Sequence, residues 1–334
     1  MSSQTLWITS PSYADIESFT ILRQRILDVV TRAPELRNFA VRFVVIDDTA
    51  GNDSEVAGLA GMDDVAVVTP PFNLGHQRAI VYGLRVTAPA VQDSDLIVTM
   101  DADGEDQPED LPRLLAPLVA TAEPKYILSI ARRTERQESI KFKLMYFFFR
   151  IMFRILTGVT VRSGNYAAYR GWLARRMLLH PSFDICYSST LVSLDLATVA
   201  VPCAKGKRYA GRSRMNVFRL AMHGIRMLVP FTDRIAVRAL TAFTAMFGIG
   251  ILLSLVVVAI RMFTTSSIPG WATATLLGML TLSFIALGNG LVLFAVFSHS
   301  RGMSLSGLED LVGRSDRADP SSRMLDNEGA PAAD

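Results

Sequence analysis

The run Met100–Asp110, MDADGEDQPED, holds the densest group of chemically competent side chains in the sequence. It directly follows the apolar run Leu96–Val98, so Asp101 and Asp103 fall at the end of a buried strand, before a turn that contains Pro108. Two carboxylates one residue apart can hold a hard divalent cation, Mg2+ or Mn2+, with diphosphate oxygens and water completing its octahedron. Such a cation neutralises a departing nucleoside diphosphate. An Asp-x-Asp pair also occurs in solvated turns, so this reading depends on what other strand ends bring to the same place.

Those strands are legible as short apolar runs. Leu6–Thr9, Arg42–Ile46, Val65–Val68 and Leu96–Met100 read as buried strands, with weaker runs at Tyr126–Ala131 and Val199–Cys203. Ile16–Thr31, Gln77–Val86 and Leu111–Ala120 read as helices between them. Strands alternating with helices imply an open, mostly parallel α/β sheet with helices on both faces, in which ligands bind beyond the carboxyl ends of the strands. Half of the 334 residues are apolar, with the excess in the last third. Ala239–Ile260 and Trp271–Phe297 carry no charge and are long enough to cross a bilayer as helices, the alternative being two core helices. Arginines 219, 226, 234 and 238 precede the first segment and 301, 314 and 317 follow the second, while the connector Thr264–Gly270 has neither Lys nor Arg. The positive-inside rule therefore puts both flanks in the cytoplasm. Ser139–Val159 and Met215–Phe231 are apolar stretches with one basic stripe: Lys143, Arg150 and Arg154 fall within about 40° of each other at 100° per residue. Such helices suit the headgroup boundary of an anionic membrane, or a core with snorkelling cations.

Four motifs in order carry a resemblance. Ser10-Pro11-Ser12-Tyr13-Ala14-Asp15 resembles a Pro-x-Tyr-Asn-Glu turn, with Ala14 and Asp15 in place of Asn and Glu. Val45–Ser54 resembles Val-Asp-Asp-Gly-Ser-x-Asp through Asp47 and Asp48. Asn73-Leu74-Gly75-His76-Gln77-Arg78-Ala79 resembles Asn-x-Gly-Lys-x-x-Ala, with His76 for the lysine. Asp101–Glu109 resembles Asp-Ala-Asp-Leu-Gln-Asp-Pro-Pro-Glu, with Gly104 for Leu and Glu105 for Gln. These are motifs of family-two glycosyltransferases of the GT-A fold, and within them the chain is most similar to the polyprenyl-phosphate glycosyltransferases, dolichyl-phosphate mannose synthases and their bacterial relatives among them. Ala131-Arg132 stands where that group has Ser-Arg, Ser163-Gly164-Asn165-Tyr166 resembles its Gly-Asp-Phe turn, and Arg208–Asn216 resembles its Arg-x-x-Gly-x-Ser-Lys segment.

The resemblance implies a GT-A domain over 1–231, with interfacial helices at 139–159 and 215–231. A transmembrane hairpin at 237–298 would hold spans 239–262 and 271–297, and 314–334 would be a disordered cytoplasmic tail. It implies nucleotide-sugar binding, UDP- or GDP-linked, by Pro11, Tyr13, Asp15, Asp47, Asp48, Asn73, Gly75, His76, Asp101 and Ala102. Asp101, Asp103 and Glu105 would bind the metal, with Asp101 and Asp103 central to catalysis. Arg132, Arg136, Lys143, Arg208 and Arg214 are the cations expected to seat an acceptor phosphate at the membrane surface. That phosphate is anionic near neutral pH and attacks without a strong general base. The Glu-Asp pair that would serve a hydroxyl acceptor is missing from Gly164–Ser193, and no Gln-x-x-Arg-Trp signature of processive synthases occurs. The expected activity is inverting transfer of one sugar to a polyprenyl phosphate by a multi-pass protein of the inner (plasma) membrane. A different lipid or glycan acceptor, and a non-catalytic membrane partner, are the alternatives. The anchor helices can pack within one chain or between copies. A formal charge of +3 and two cysteines, Cys186 and Cys203, without metal-ligand spacing give no sign of a nucleic-acid partner or a disulfide framework. No Gly-x-Gly-x-x-Gly or Walker loop is present.

Overall fold

The computed structural model describes residues 4–59, 61–120, 127–133, 140–160, 163–210, 217–264 and 270–299. In chain order the elements of the first part are β1 (Thr5–Ser12), α1 (Ile16–Arg32), β2 (Ala40–Asp47), β3 (Val65–Val68), α2 (His76–Thr87), β4 (Leu96–Thr99), α3 (Leu111–Val119) and β5 (Ile127–Arg133). They continue with α4 (Ile140–Thr157), β6 (Ser163–Arg170), α5 (Gly171–Met177), α6 (Tyr187–Ser193), β7 (Ala197–Cys203) and α7 (Val217–Leu228), and end with α8 (Thr232–Phe263) and α9 (Trp271–His299). The strands form one seven-stranded sheet in the order β3-β2-β1-β4-β6-β5-β7.

Every pairing is parallel except those of β6, which runs antiparallel between β4 and β5. The expected turn at Ser163–Tyr166 is therefore corrected: these residues open a central strand. Its composition, SGNYAAYR, hides it from a search for apolar runs. Its alternation explains it, since Tyr166 and Ala168 pack into the core on one face of the sheet while Ala167 and Tyr169 pack into the core on the other. The neighbouring β4 behaves likewise, with Leu96 and Val98 on the first face and Ile97 on the second. Residues of α1 and α3 complete the first core, and residues of α2, α5 and α6 the second, so helices cover both faces.

The described residues group into two compact units. One runs through Phe147 and resumes with β6, β7 and α7; the other joins Phe148–Thr160 to α8 and α9. The second unit thus begins again at Phe231 and also takes in the second half of α4. The link is concrete: Phe153 stacks edge-on with Phe231, ring centroids 5.5 Å apart. Arg238 also donates to the Ile155 carbonyl at 2.8 Å, capping the last turn of α4 with a cation. α8 starts seven residues before the expected span, because the basic turn that makes these contacts is helical too.

Within the second unit α8 and α9 pack side by side. Both are long and apolar enough to cross a membrane, and only 11% and 17% of their most apolar stretches are buried. A core helix of a soluble protein would hide that surface.

Candidate active site

The site grows from the carboxyl ends of β1, β2 and β4, where successive turns are tied to one another. Asp48, just past β2, donates its N–H to the Ser12 carbonyl at 2.9 Å. Its buried carboxylate accepts the backbone N–H groups of Leu74 (2.7 Å) and Gly75 (3.0 Å), and Asn73 donates to its carbonyl at 2.8 Å. Burial, against these hydrogen bonds, raises the Asp48 pKa. Asp47 is likewise occupied, accepting the N–H groups of Thr49 and Gly51, both at 3.0 Å, and the Thr49 hydroxyl. The two acids expected to bind the nucleotide sugar thus hold the backbone of the turns beside them. Pro11 is buried at the end of β1, while Tyr13 is 49% exposed and Asp15 half-buried at the start of α1. Gly75, with φ +78, lets the chain turn sharply into α2 and sets His76 on its first turn.

His76 Nε2 lies 3.0 Å from Asp101 Oδ1. Burial disfavours a charged imidazole here, but the Asp101 carboxylate outweighs it and the His76 pKa is raised. For Asp101 burial is likewise overcome, by the His76 charge and hydrogen bond, and its pKa is held well below the usual range. Asn165 of β6 completes the group, donating to Asp101 Oδ1 at 3.2 Å with the same nitrogen 2.6 Å from His76 Nε2. Gln77 donates to Asn165 Oδ1 at 2.5 Å and accepts the Ser188 N–H at 2.9 Å. Asn165 and Gln77 therefore tie the first aspartate of the pair to α2 and α6. Neither was expected from the sequence as a positioning group; the antiparallel run of β6 is what brings the start of that strand to this edge.

Ala102 is buried, and Asp103 faces a second set of partners. Arg208 Nη2 lies 2.6 Å from Asp103 Oδ2, and Burial together with repulsion from Asp101 pushes the Asp103 pKa up to about 6. Asp106, buried, accepts the Asp101 N–H at 3.0 Å and pairs with Arg133 at 3.4 Å. Its pKa is pushed up to about 7, first by burial and then by Asp101. Glu105 turns toward cations: Lys205 at 3.1 Å, Arg208 at 3.2 Å and Arg133 at 3.7 Å. The segment after β7 holds Lys205 and Arg208 there by backbone bonds, Gly206 N–H to the Glu105 carbonyl (2.8 Å) and Tyr209 N–H to the Asp103 carbonyl (2.9 Å). Gly104, φ +88, is needed beneath it: a Cβ there would stand 2.8 Å from the Tyr209 ring.

Arg133, next to the Arg132 expected to seat an acceptor phosphate, reaches the acids. Adjacent strand residues point to opposite faces, and Arg132 is exposed. Arg136 and Arg214 lie outside the described residues, as does the side chain of Lys143. Among the described residues no three His, Cys, Asp or Glu side chains converge to hold a metal. Asp101 and Asp103 supply two adjacent carboxylates, a set that fits a cation whose other ligands come from a diphosphate. Glu105, expected beside them, is paired here with Arg133, Lys205 and Arg208.

Residues 19–176, from α1 to α5, match the family model Glycosyl transferase family 2. Over those residues the chain has the sequence pattern of a family 2 glycosyltransferase domain. The enzyme is thus a glycosyltransferase, and the match takes in Asp47, Asp48, His76, the Asp101–Asp106 loop, Arg133 and Asn165. The undecaprenyl-phosphate 4-deoxy-4-formamido-L-arabinose transferase of Yersinia pestis (strain Pestoides F) is 26% identical over 316 residues, covering 92% of this chain and 88% of its own. The transferase of the same name from Photorhabdus laumondii is 24% identical over 291 residues, 84% of this chain and 83% of its own. Among solved structures, glucosyl-3-phosphoglycerate synthase from Mycobacterium tuberculosis with phosphoglyceric acid gives a TM-score of 0.45 at 16% identity, over 70% of this chain and 80% of that one.

Proposed function

We propose that this glycosyltransferase moves one sugar, with inversion, from a nucleoside-diphosphate sugar, UDP- or GDP-linked, to a polyprenyl phosphate at the cytoplasmic face of the membrane. The observation that carries the reading is the juxtaposition of two carboxylates, Asp101 and Asp103, with the cations Arg133, Lys205 and Arg208 on the same edge of the sheet. One side of the site suits a metal-bridged diphosphate and the other an anionic acceptor. The two relatives, named as undecaprenyl-phosphate transferases, support the acceptor class.

Asp101 and Asp103 would hold Mg2+ or Mn2+, whose charge offsets that gathering on the leaving diphosphate. His76 keeps Asp101 ionised, and Asn165, donating to the same carboxylate, helps hold it in the site. Pro11, Tyr13, Asp15, Asn73, Gly75 and Ala102 line the pocket that Asp47 and Asp48 shape. Arg133, Lys205 and Arg208 draw the acceptor phosphate beside the anomeric carbon, and this reading assigns Arg132, Arg136, Lys143 and Arg214 to the same anion as further cations. The phosphate oxygen attacks without surrendering a proton, so no general base is required.

α8 and α9 form the membrane-crossing hairpin of this reading, with both termini inside, and α4 and α7 lie along the surface. On α4 the exposed apolar residues Phe147, Phe148, Ile151, Met152 and Ile155 share one helical face, bordered by the exposed Arg150 and Arg154. α7 repeats the design with Met222 and Ile225 exposed.

The test supplies membranes enriched in the protein with polyprenyl phosphate, Mn2+ or Mg2+, and radiolabelled UDP- and GDP-sugars. Label should enter the organic phase from one donor. Asp103→Asn should reduce transfer by more than about a hundredfold while the protein remains in the membrane. Retained transfer removes Asp103 from the metal site; label in a different lipid or a glycan reassigns the acceptor.

A further inference from the structure

The second apolar helix carries a polar side chain that its own hairpin does not use. Asn289 is exposed on α9, and no hydrogen bond to it occurs among the described residues. The hydroxyls deeper in the hairpin are served locally: Ser254 donates to the Gly250 carbonyl and Ser283 to the Met279 carbonyl, each at 2.8 Å. An Asn amide, with two donors and an acceptor, is not satisfied that way. At 1.5 Å per residue Asn289 stands about 6 Å from the midpoint of α9, well inside a hydrocarbon layer of about 30 Å.

The residues around it form a seam. Gly278, Leu282, Ile285, Asn289, Val292 and Val296 are all exposed and follow one another at alternating steps of four and three. This is the spacing that keeps one stripe against a parallel partner helix. The face packed on α8, which holds Ser283, Ala286 and Gly290, lies about a third of a turn away at 100° per residue. The seam is thus a second, separate face of the same helix.

We propose that this seam binds the same seam of a second copy of the chain, the two Asn289 amides hydrogen-bonding to each other across the two-fold axis. An amide is its own complement, donor to acceptor, which a lipid tail or prenyl chain is not. Polar side chains of this kind join helices in membranes. The inference rests on the membrane-spanning reading of α8 and α9.

Single cysteines placed at Ile285, Val292 and, on the opposite side, Leu287 are oxidised in native membranes, with the parent protein controlling for Cys186 and Cys203. Ile285→Cys and Val292→Cys should yield disulfide-linked dimers and Leu287→Cys should not. In a quantitative association assay, energy transfer between donor- and acceptor-tagged copies, Asn289→Val should weaken association roughly tenfold and Asn289→Gln should largely retain it. Equal cross-linking at all three positions, or association unchanged in Asn289→Val, overturns the proposal, as does capture of a different membrane protein by the seam cysteines. Release of the parent protein by alkaline carbonate extraction would instead remove the membrane-spanning reading, so the two failures are distinct.

Discussion

Arg132 and Arg133 are chemically identical neighbours with opposite surroundings, and they separate a structural from a sequence-based account of the site. Arg133 is paired with Asp106 and Glu105, whereas Arg132 is exposed on the other face of β5. Arg133→Ala should lower kcat/KM at least about tenfold, because it unpairs a buried carboxylate, Asp106, which also accepts the Asp101 N–H. Arg132→Ala should stay within about threefold, measured in the same transfer assay. The reverse ranking would make Arg132 the more important of the two for the acceptor. The motif was legible because its acids follow an apolar run; which of two adjacent arginines turns inward depends on strand register, which composition does not encode. Asp106 shows the same limit. It reads as one more acid in an acidic turn, yet it is buried and receives the Asp101 N–H. Ala14 is a different case. It replaces an Asn of the resembling motif and adopts φ +49, a left-handed conformation that Asn tolerates better than Ala.

At the level of elements, the parallel strands announced themselves through Val, Ile and Leu, and the helices through their periodicity. β6 did not, since its two tyrosines alternate with small and polar residues and its stability comes from neighbours on both sides. α5 and α6, each seven residues, are too short to show a helical period and are held by packing on the sheet. The long helices α8 and α9 are plain from their composition, but the fit between them is not. A Cβ added at Gly250 would come closer than 3.0 Å to the Ser283 hydroxyl, while at Gly248 it would meet nothing within 4 Å. Gly250→Leu should therefore destabilise the hairpin by about 1–3 kcal/mol and Gly248→Leu leave it near parent, read by thermal unfolding in detergent micelles. Equal effects would place the helix contact elsewhere.

For the whole molecule, the acid cluster makes stability depend on pH. Asp103, pushed up to about 6, and Asp106, pushed up to about 7, keep protons in the folded chain that the unfolded chain has released. Their contribution is fully present below about pH 4 and is lost as pH rises through those two values. The metal-free protein should thus melt at falling temperature from roughly pH 5 to pH 8, and Asp106→Asn should flatten that slope. Asp101, held low, acts oppositely and only at more acid pH. A melting temperature that climbs across the window, or an unaltered slope in Asp106→Asn, contradicts the assignment.

The charges that balance this cluster also arrive in a particular order. Asp101, Asp103, Glu105 and Asp106 are made early, Arg133 follows, and Lys205 and Arg208 come only after β7, the final strand of the sheet. A chain emerging from the ribosome, N-terminus first, therefore carries a loop of acids missing two of its cations until almost all of the catalytic unit has been synthesised. The next long element is α8, the first apolar helix. Closing the acid loop and making the first apolar helix become neighbouring events in time, so on the proposed reading a nascent enzyme completes its metal-binding loop only as its anchor is being made.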